Sequence, residues 1–295
     1  MISVVIPSYN SEKTIDKCLN SLRNQSHGEH YEIILVDSSI DGTPQIVTLN
    51  HPGIKYIHLK EKTDPGTARN MGVEEAQGDI IAFIDSDCIA APDWLIRISE
   101  AYGSGISAVG GAVRNGNREG DLIALAGYIA EFREFIPGQP KREVRHIPTC
   151  NISYRKEIFR SFGGFKKEYY PQEDLVFNYR LHVAGVKIVF DPSIQVYHHH
   201  RSKWKEYTGH QLRIGNITSR VLKKIPLEGS TIARNKAIAI PLIPLLPIVK
   251  FSRTVHTFMK CEPQIVCRNP HVLAIFAIGL IYWAIGFTQG IFAKD

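Results

Sequence analysis

The sequence predicts an α/β fold in which helices flank a mostly parallel sheet, followed by a basic and hydrophobic helical region. Two observations predict the sheet: short apolar runs recur along residues 1–100, and stretches of about 10–15 residues with helical patterning separate them. A third observation predicts the separate C-terminal region. Residues 201–295 carry 14 Lys and Arg against 4 Asp and Glu, whereas residues 1–200 carry 21 against 25.

The elements of the first 200 residues follow from apolar periodicity and from turn residues. Pro65 and Gly66 open a helix that Gly78 ends, and the other boundaries rest on similar signals. Strands are predicted at Ile2–Pro7, Glu32–Asp37, Ile54–Leu59, Asp79–Ile84, Ser107–Val113, Asn151–Tyr154, Lys187–Phe190 and Gln195–His198. Helices are predicted near Glu12–Gln25, after Asp41-Gly42-Thr43, from Pro65 to about Gln77, at Asp121–Phe135 and at Glu173–Ala184.

Residues 201–236 are predicted to form a basic amphipathic juxtamembrane helix. Apolar residues recur at helical spacing from Trp204, and the segment carries nine basic residues against two acidic ones. Such a helix either lies on anionic lipid or packs on its own domain with a solvated basic face.

Residues 237–295 are predicted to form a hydrophobic membrane-associated region. Val272–Phe292 is an uncharged run of 21 residues, about 31 Å as a helix, which matches the core of a bilayer. Ala237–Val249 has 13 residues with three prolines and is too short to span by itself. A single span at 272–292 keeps the intervening basic residues inside. Because Met1 leads directly into a strand without a signal peptide, we expect residues 1–200 on the cytoplasmic side of the cell membrane.

The five cysteines are scattered along the chain without a Cys-x-x-Cys pair. This pattern argues against a disulfide framework and against a zinc site. Cys88 and Cys150 are expected to be small space-filling residues.

Two carboxylates, Asp85 and Asp87, follow directly on the apolar strand Ile80–Ile84. Parallel sheets place their ligands at the carboxyl ends of strands, and two like charges there favour a divalent cation shared with phosphates. The plain alternative is a polar turn, and the neighbouring motifs decide between the two.

Further polar groups are predicted to reach the same edge of the sheet. Tyr9 and Asp37 follow the first two strands, and Arg69 lies near a helix N-terminus, where an anion can bind. Glu173-Asp174 opens a later helix, and the histidines 198–200 end a strand. Each has a plain alternative, such as a helix cap, a surface ion pair, a helix start favoured by the macrodipole or a solvated edge. Their joint occurrence in this order is what predicts one site.

This series of motifs resembles the family-2 glycosyltransferases of the GT-A fold. The similar segments are Val4–Asn10, Ile34–Thr43, Ala68–Gly72, Asp85–Asp87, Asn151, Gly163–Phe165, Glu173–Asp174, Arg180, Gly185 and His198. The resemblance covers residues 1–200 and implies a GT-A catalytic domain there that uses a nucleotide-sugar donor.

The resemblance also implies which residues bind the nucleotide. Pro7, Tyr9, Asp37 and Arg69 would hold the base and the ribose. Asp37 would accept a hydrogen bond from the base edge, and Asp85 would contact the ribose.

The implied metal site centres on Asp87, which would bind the Mg2+ or Mn2+ that bridges the diphosphate. His198 would complete the metal site or contact the diphosphate. Because three histidines are consecutive, His198, His199 and His200 all stay candidates for this position.

The acid pair is implied to serve the acceptor. Asp174 would be the catalytic base, Glu173 would help position the acceptor, and Asn151 would line the sugar pocket. One base on the acceptor hydroxyl, with no carboxylate nucleophile, suits a single displacement that inverts the sugar.

Together these expectations describe a membrane-associated, inverting, hexosyltransferase-type enzyme of cell envelope polysaccharide or glycan biosynthesis. Its partners would be a nucleotide-sugar donor, a lipid-linked or glycan acceptor and an anionic membrane surface. The alternatives are a polyprenyl-phosphate sugar synthase, whose acceptor is the lipid phosphate, and a catalytically silent nucleotide-binding domain, which the presence of Asp87 and Asp174 disfavours. No nucleic-acid partner is expected, because the basic tail lacks interleaved aromatic residues and a recognition motif.

Overall fold

The computed structural model describes residues 1–26, 28, 30–103 and 105–293, in which strands and helices alternate over the first hundred positions. The strands are β1 (Ile2–Ser8), β2 (Tyr31–Asp37), β3 (Lys55–His58), β4 (Ile80–Ile84), β5 (Cys88–Ala90), β6 (Ala108–Asn115), β7 (Arg142–Val144), β8 (Asn151–Arg155) and β9 (Ile188–His198). The helices are α1 (Ile15–Arg23), α2 (Thr43–Asn50), α3 (Pro65–Glu75), α4 (Trp94–Tyr102), α5 (Leu122–Phe132), α6 (Glu157–Phe162), α7 (Glu173–Val183), α8 (Trp204–Lys224), α9 (Ser230–Arg234), α10 (Lys236–Leu242), α11 (Leu246–Cys261), α12 (Pro263–Arg268) and α13 (Val272–Phe292).

The chain forms two compact units. The first contains residues 1–116 and 139–199, and the second contains residues 117–138 and 200–295. Helix α5 therefore belongs to the second unit, although the strands before and after it in the sequence belong to the first.

The first unit is built on one sheet in the order β3-β2-β1-β4-β8-β6-β9-β5, with β7 paired to β9. Strands β3, β2, β1 and β4 are parallel to their neighbours. Strand β8 is antiparallel to both β4 and β6, while β6 and β9 are parallel to each other. The predicted α/β fold is confirmed, and the sheet is mixed, since strands β5, β7 and β8 run antiparallel to their neighbours.

The centre of the sheet follows from apolar runs that are buried on both faces. Strand β1 is buried at all seven positions and lies between β2 and β4. Helix α1 covers the sheet with Ile15, Cys18, Leu19 and Leu22, which share one face at helical spacing. Because these strands are parallel, their carboxyl ends meet at one edge, where Ser8 pairs with Asp37.

In the second unit, α8 and α13 pack side by side and run in the same direction. Tyr207 near the start of α8 lies against Gly279, and Ser219 near its end lies against Gly290. A Cβ on Gly290 would lie 2.0 Å from the Ser219 hydroxyl, so only a glycine permits this approach. Small residues at the contact let the backbones of two helices approach closely. Helix α5 also packs on α13.

Among the described residues, two helical stretches are long and apolar enough to cross a membrane, Lys236–Cys261 and Val272–Phe292. The second coincides with the uncharged helix predicted from the sequence. The first is longer than the predicted apolar stretch at 237–249, because the helix continues through the basic residues Lys250 and Arg253.

Candidate active site

Arg69 joins the end of β4 to the start of α7. It lies on α3, whose N-terminus is capped by Asp64 and starts with Pro65. The Arg69 side chain donates from Nη2 to Asp85 Oδ1 at 2.7 Å and from Nη1 to Glu173 Oε1 at 3.0 Å. Arg69 is 4% exposed, so this guanidinium is a buried bridge between two acids. Three of the predicted site residues are thus brought into direct contact.

The carboxyl group of Glu173 is buried and only partly hydrogen-bonded. Its Oε2 atom has no hydrogen-bond partner. Burial raises the pKa of Glu173 to about 7, although Arg69 opposes the rise, and the neighbouring Asp174 adds to it. Near neutral pH, Glu173 therefore exchanges readily between its acid and carboxylate forms.

Asp174 differs from its neighbour. Burial by itself would raise its pKa, but His146, Arg69 and the Leu175 amide together outweigh burial and lower the pKa below its usual value. The His146 Nε2 atom lies 3.9 Å from Asp174 Oδ2, and the Thr149 and Leu175 amides donate to the carboxylate at 3.2 and 2.7 Å. Two adjacent acids with pKa values pushed apart are suited to different roles. No sequence motif pointed to His146, which lies in an irregular segment before β8.

Asp87 and His198 also meet. Asp87 follows β4, His198 ends β9, and the His198 Nε2 atom lies 3.6 Å from Asp87 Oδ1. Together with Cys88 they form a group in which one ligand atom from each residue lies within 4.8 Å of the others. A carboxylate oxygen and an imidazole nitrogen fit a divalent cation. Of the three consecutive histidines, it is His198 that the fold places in this group.

The other two histidines have different surroundings. The His199 amide donates to the Asp87 carbonyl at 2.9 Å. The ring of His200 belongs to the second unit, where it packs against Tyr128 and Phe132.

Asp37 is fully buried at the end of β2 and accepts from several donors. Ser39 donates to Oδ1, while the Tyr56 hydroxyl and the His58 Nδ1 atom each lie 3.1 Å from Oδ2. No sequence motif pointed to Tyr56 and His58, whose i, i+2 spacing in β3 puts them on one face. Tyr9 is 36% exposed, and Lys62 Nζ lies 4.0 Å from the centre of its ring.

Asn151 is fully buried, and its hydrogen bonds are internal. Its side-chain oxygen accepts from Trp94 Nε1 at 2.8 Å, and its Nδ2 atom donates to the carbonyls of Ala112 and Ile194. The residue ties β8, β6 and β9 to α4, and its place in the sugar pocket stays a prediction. Pro7 is likewise buried, within β1.

Known proteins show what this chain is similar to. It is 30% identical over 198 residues to "Glycosyltransferase AglE" of Haloferax volcanii, an alignment that covers 64% of each chain, so the chain spans under two thirds of that relative's length. It is 26% identical over 249 residues to a protein of Methanococcus voltae named dolichyl N-acetyl-alpha-D-glucosaminyl phosphate 3-beta-D-2,3-diacetamido-2,3-dideoxy-beta-D-glucuronosyltransferase, covering 76% of this chain and 74% of that one.

A solved structure shares the fold. The mannosyltransferase PcManGT of Pyrobaculum calidifontis, in complex with GDP-Man and Mn2+, superimposes with a TM-score of 0.66 at 16% identity. The superposition covers 100% of this chain and 88% of that one, which confirms the expected GT-A fold. Residues 3–163 match the family model described as "Glycosyl transferase family 2". The chain therefore belongs to glycosyltransferase family 2.

Proposed function

We propose that this chain is an inverting, metal-dependent glycosyltransferase. It transfers a sugar from a nucleotide-sugar donor to a lipid-linked or polysaccharide acceptor at the cytosolic face of a membrane. The main observation in support of this proposal is that two pairs of contacting side chains lie just after β4. The buried Arg69 bridge holds Asp85 there, and Asp87 meets His198 two residues later.

The donor side uses the ends of the parallel strands, where such sheets bind nucleotides. The exposed ring of Tyr9 offers a surface on which a base can stack. The Asp37 carboxylate is in hydrogen-bonding contact with the side chains of Tyr56 and His58. The buried Arg69 holds Asp85 in position for the ribose. Asp87 and His198 would hold the divalent ion, which when bound neutralises charge on the departing diphosphate.

The acceptor side uses the acid pair. Asp174, ionised at neutral pH because its pKa is lowered, accepts the proton of the acceptor hydroxyl. The acceptor oxygen forms its bond to the anomeric carbon as the bond from that carbon to the diphosphate breaks. Since a carboxylate of low pKa is a weak base, the proton moves as the leaving group departs rather than before it. Glu173, anchored by Arg69, positions the acceptor.

Two observations support a lipid-linked acceptor at a membrane. The name of the Methanococcus voltae relative describes a dolichyl phosphate sugar as its substrate. In the second unit, Ile278, Ile281 and Ile285 form an exposed apolar stripe on α13. An apolar helix face in a region rich in Lys and Arg favours attachment to anionic lipid.

The test is calorimetric titration of the detergent-solubilised protein with UDP and with GDP, each with and without Mn2+. We expect one nucleotide to bind in a metal-dependent manner and Asp87→Ala to abolish that binding. Asp79→Ala is the matched control, because Asp79 precedes the same strand at its other end and its side chain is 88% exposed. Binding of neither nucleotide, or binding that survives in Asp87→Ala, would contradict the proposal.

A further inference from the structure

A thiol lies beside the Asp87–His198 pair. Cys88 is buried in β5 and stands directly opposite His198 in β9. Directly opposed residues of antiparallel strands point to the same face, with Cβ atoms about 4.5–5.5 Å apart. The Cys88 Sγ atom lies 4.0 Å from Asp87 Oδ1, the same oxygen that lies 3.6 Å from His198 Nε2.

These separations are close to those of a formed metal site. A tetrahedral ion with sulfur at about 2.3 Å and nitrogen or oxygen at about 2.0 Å holds its ligands roughly 3.3–3.5 Å apart. The observed distances of 3.6 and 4.0 Å exceed this by a few tenths of an ångström. The Asp87 side chain is 43% exposed, so a small rotation of this residue can shorten the two distances that involve its oxygen. The third separation, between the Cys88 sulfur and a His198 ring nitrogen, is at most 4.8 Å.

We propose that Cys88 is a third protein ligand of the metal site, and that this site prefers thiophilic divalent ions such as Zn2+ and Co2+ to Mg2+. The proposal rests on the metal site of the proposed function and adds the sulfur donor. Oxygen and nitrogen donors suit Mg2+ and Mn2+, whereas a thiolate selects softer ions. On binding, the thiol releases its proton to solvent and its sulfur forms the bond to the metal.

A second cysteine lies against Cys88, whose pKa burial holds well above its usual value in the metal-free protein. The side chains of Cys88 and Cys150 are hydrogen-bonded to each other, and Cys150 is buried just before β8. Once Cys88 has lost its proton, the Cys150 thiol can donate to the sulfur. Cys150 would thereby orient the ligand from behind, as hydrogen-bonding partners of metal ligands commonly do.

The experiment adds Co2+ to the metal-free chain of both units and records the near-ultraviolet thiolate-to-cobalt charge-transfer band. We expect a saturable band in the wild type that Zn2+ displaces, and its loss in Cys88→Ser and in Asp87→Ala. Cys267→Ser, an exposed cysteine of the second unit, is the matched control and should retain the band. Zn2+ affinity should fall about tenfold or more in Cys88→Ser, while Mn2+ affinity should change by less than about threefold.

A wild type without the band, or a band that survives in Cys88→Ser, would overturn the proposal. Circular dichroism checks that the variant is folded. If Cys88→Ser does not fold, X-ray absorption of the Zn2+-loaded wild type decides, since a sulfur neighbour supports the proposal and a shell of only oxygen and nitrogen refutes it. The proposed function fails separately, because Mn2+-dependent nucleotide binding does not require the sulfur donor.

Discussion

Replacing Arg69 by methionine is expected to destabilise the first unit by an amount that grows with pH. Methionine keeps much of the apolar bulk but removes the charge that pairs with Asp85 and Glu173. The side chains of Arg69 and Glu173 are 4% and 5% exposed, so the substitution leaves a buried carboxyl group without its cation. Removing one partner of a buried ion pair costs about 3–5 kcal/mol.

The pH dependence comes from Glu173, whose pKa burial raises from its usual 4.5 to about 7. The folded state then holds a proton that the unfolded state has lost, so stability falls as pH rises between these two values. Above pH 7 the wild type loses no more stability from this group. Without Arg69 the pKa of Glu173 lies higher still, so the variant continues to lose about 1.4 kcal/mol per pH unit. The difference in free energy of unfolding between the two proteins should therefore widen from about pH 6 to about pH 8.5.

The assay is urea unfolding followed by fluorescence. The chain has three tryptophans, and replacing Trp204 and Trp283 by phenylalanine leaves Trp94 as the reporter of the first unit. Arg97→Met is the control, because this exposed residue pairs with exposed Asp93 and should change stability little at either pH. A difference that stays constant or narrows as pH rises, or one below about 1 kcal/mol throughout, would refute the reasoning.

Two further predictions concern catalysis and packing. His146→Gln should raise the pKa of Asp174 and so move the acidic limb of kcat/KM upwards by about one pH unit or less, measured from initial rates of donor turnover with Mn2+. A limb that does not move would show that His146 does not act on Asp174. Gly111→Ala should lower stability by about 1–3 kcal/mol or more, because a Cβ there would lie 1.7 Å from the Ile194 carbonyl oxygen. Thermal unfolding measures this, and Gly53→Ala, which has no atom within 4 Å, should melt like the wild type.

Strands β1, β2 and β4 could be predicted because they are largely buried and contain continuous apolar runs. The predicted strand Ile2–Pro7 differs from β1 by one residue. The three-residue strand β5 and the six-residue helix α6 were missed, because so few residues carry too little periodicity. The direction of β8 could not be predicted either, because a short apolar run does not indicate whether a strand is parallel or antiparallel to its neighbours.

Residues of the candidate active site could be predicted only where they belong to a recognisable local motif. Arg69 and Asp85 each stand in a recognisable segment, and the topology of the parallel strands brings them together. A space-filling role was expected for Cys88 because the cysteines are scattered along the chain without a Cys-x-x-Cys pair. Its position beside Asp87 depends on a register with His198 that exists only once β5 and β9 have paired.

The placement of α5 bears on how the chain is made and how it can be shortened. Residues 117–138 are synthesised before β7, β8 and β9, yet α5 packs on α13, which follows all three strands in the chain. Tyr128 of α5 packs against His200 and against Phe258 of α11, which are also synthesised later. Apolar surface of α5 therefore stays exposed until these residues follow, and exposed apolar surface of this kind promotes aggregation. A chain cut at residue 200 would retain every residue of the candidate active site and still lack the cover for α5. A soluble catalytic fragment therefore requires changes to α5 itself as well as removal of the tail.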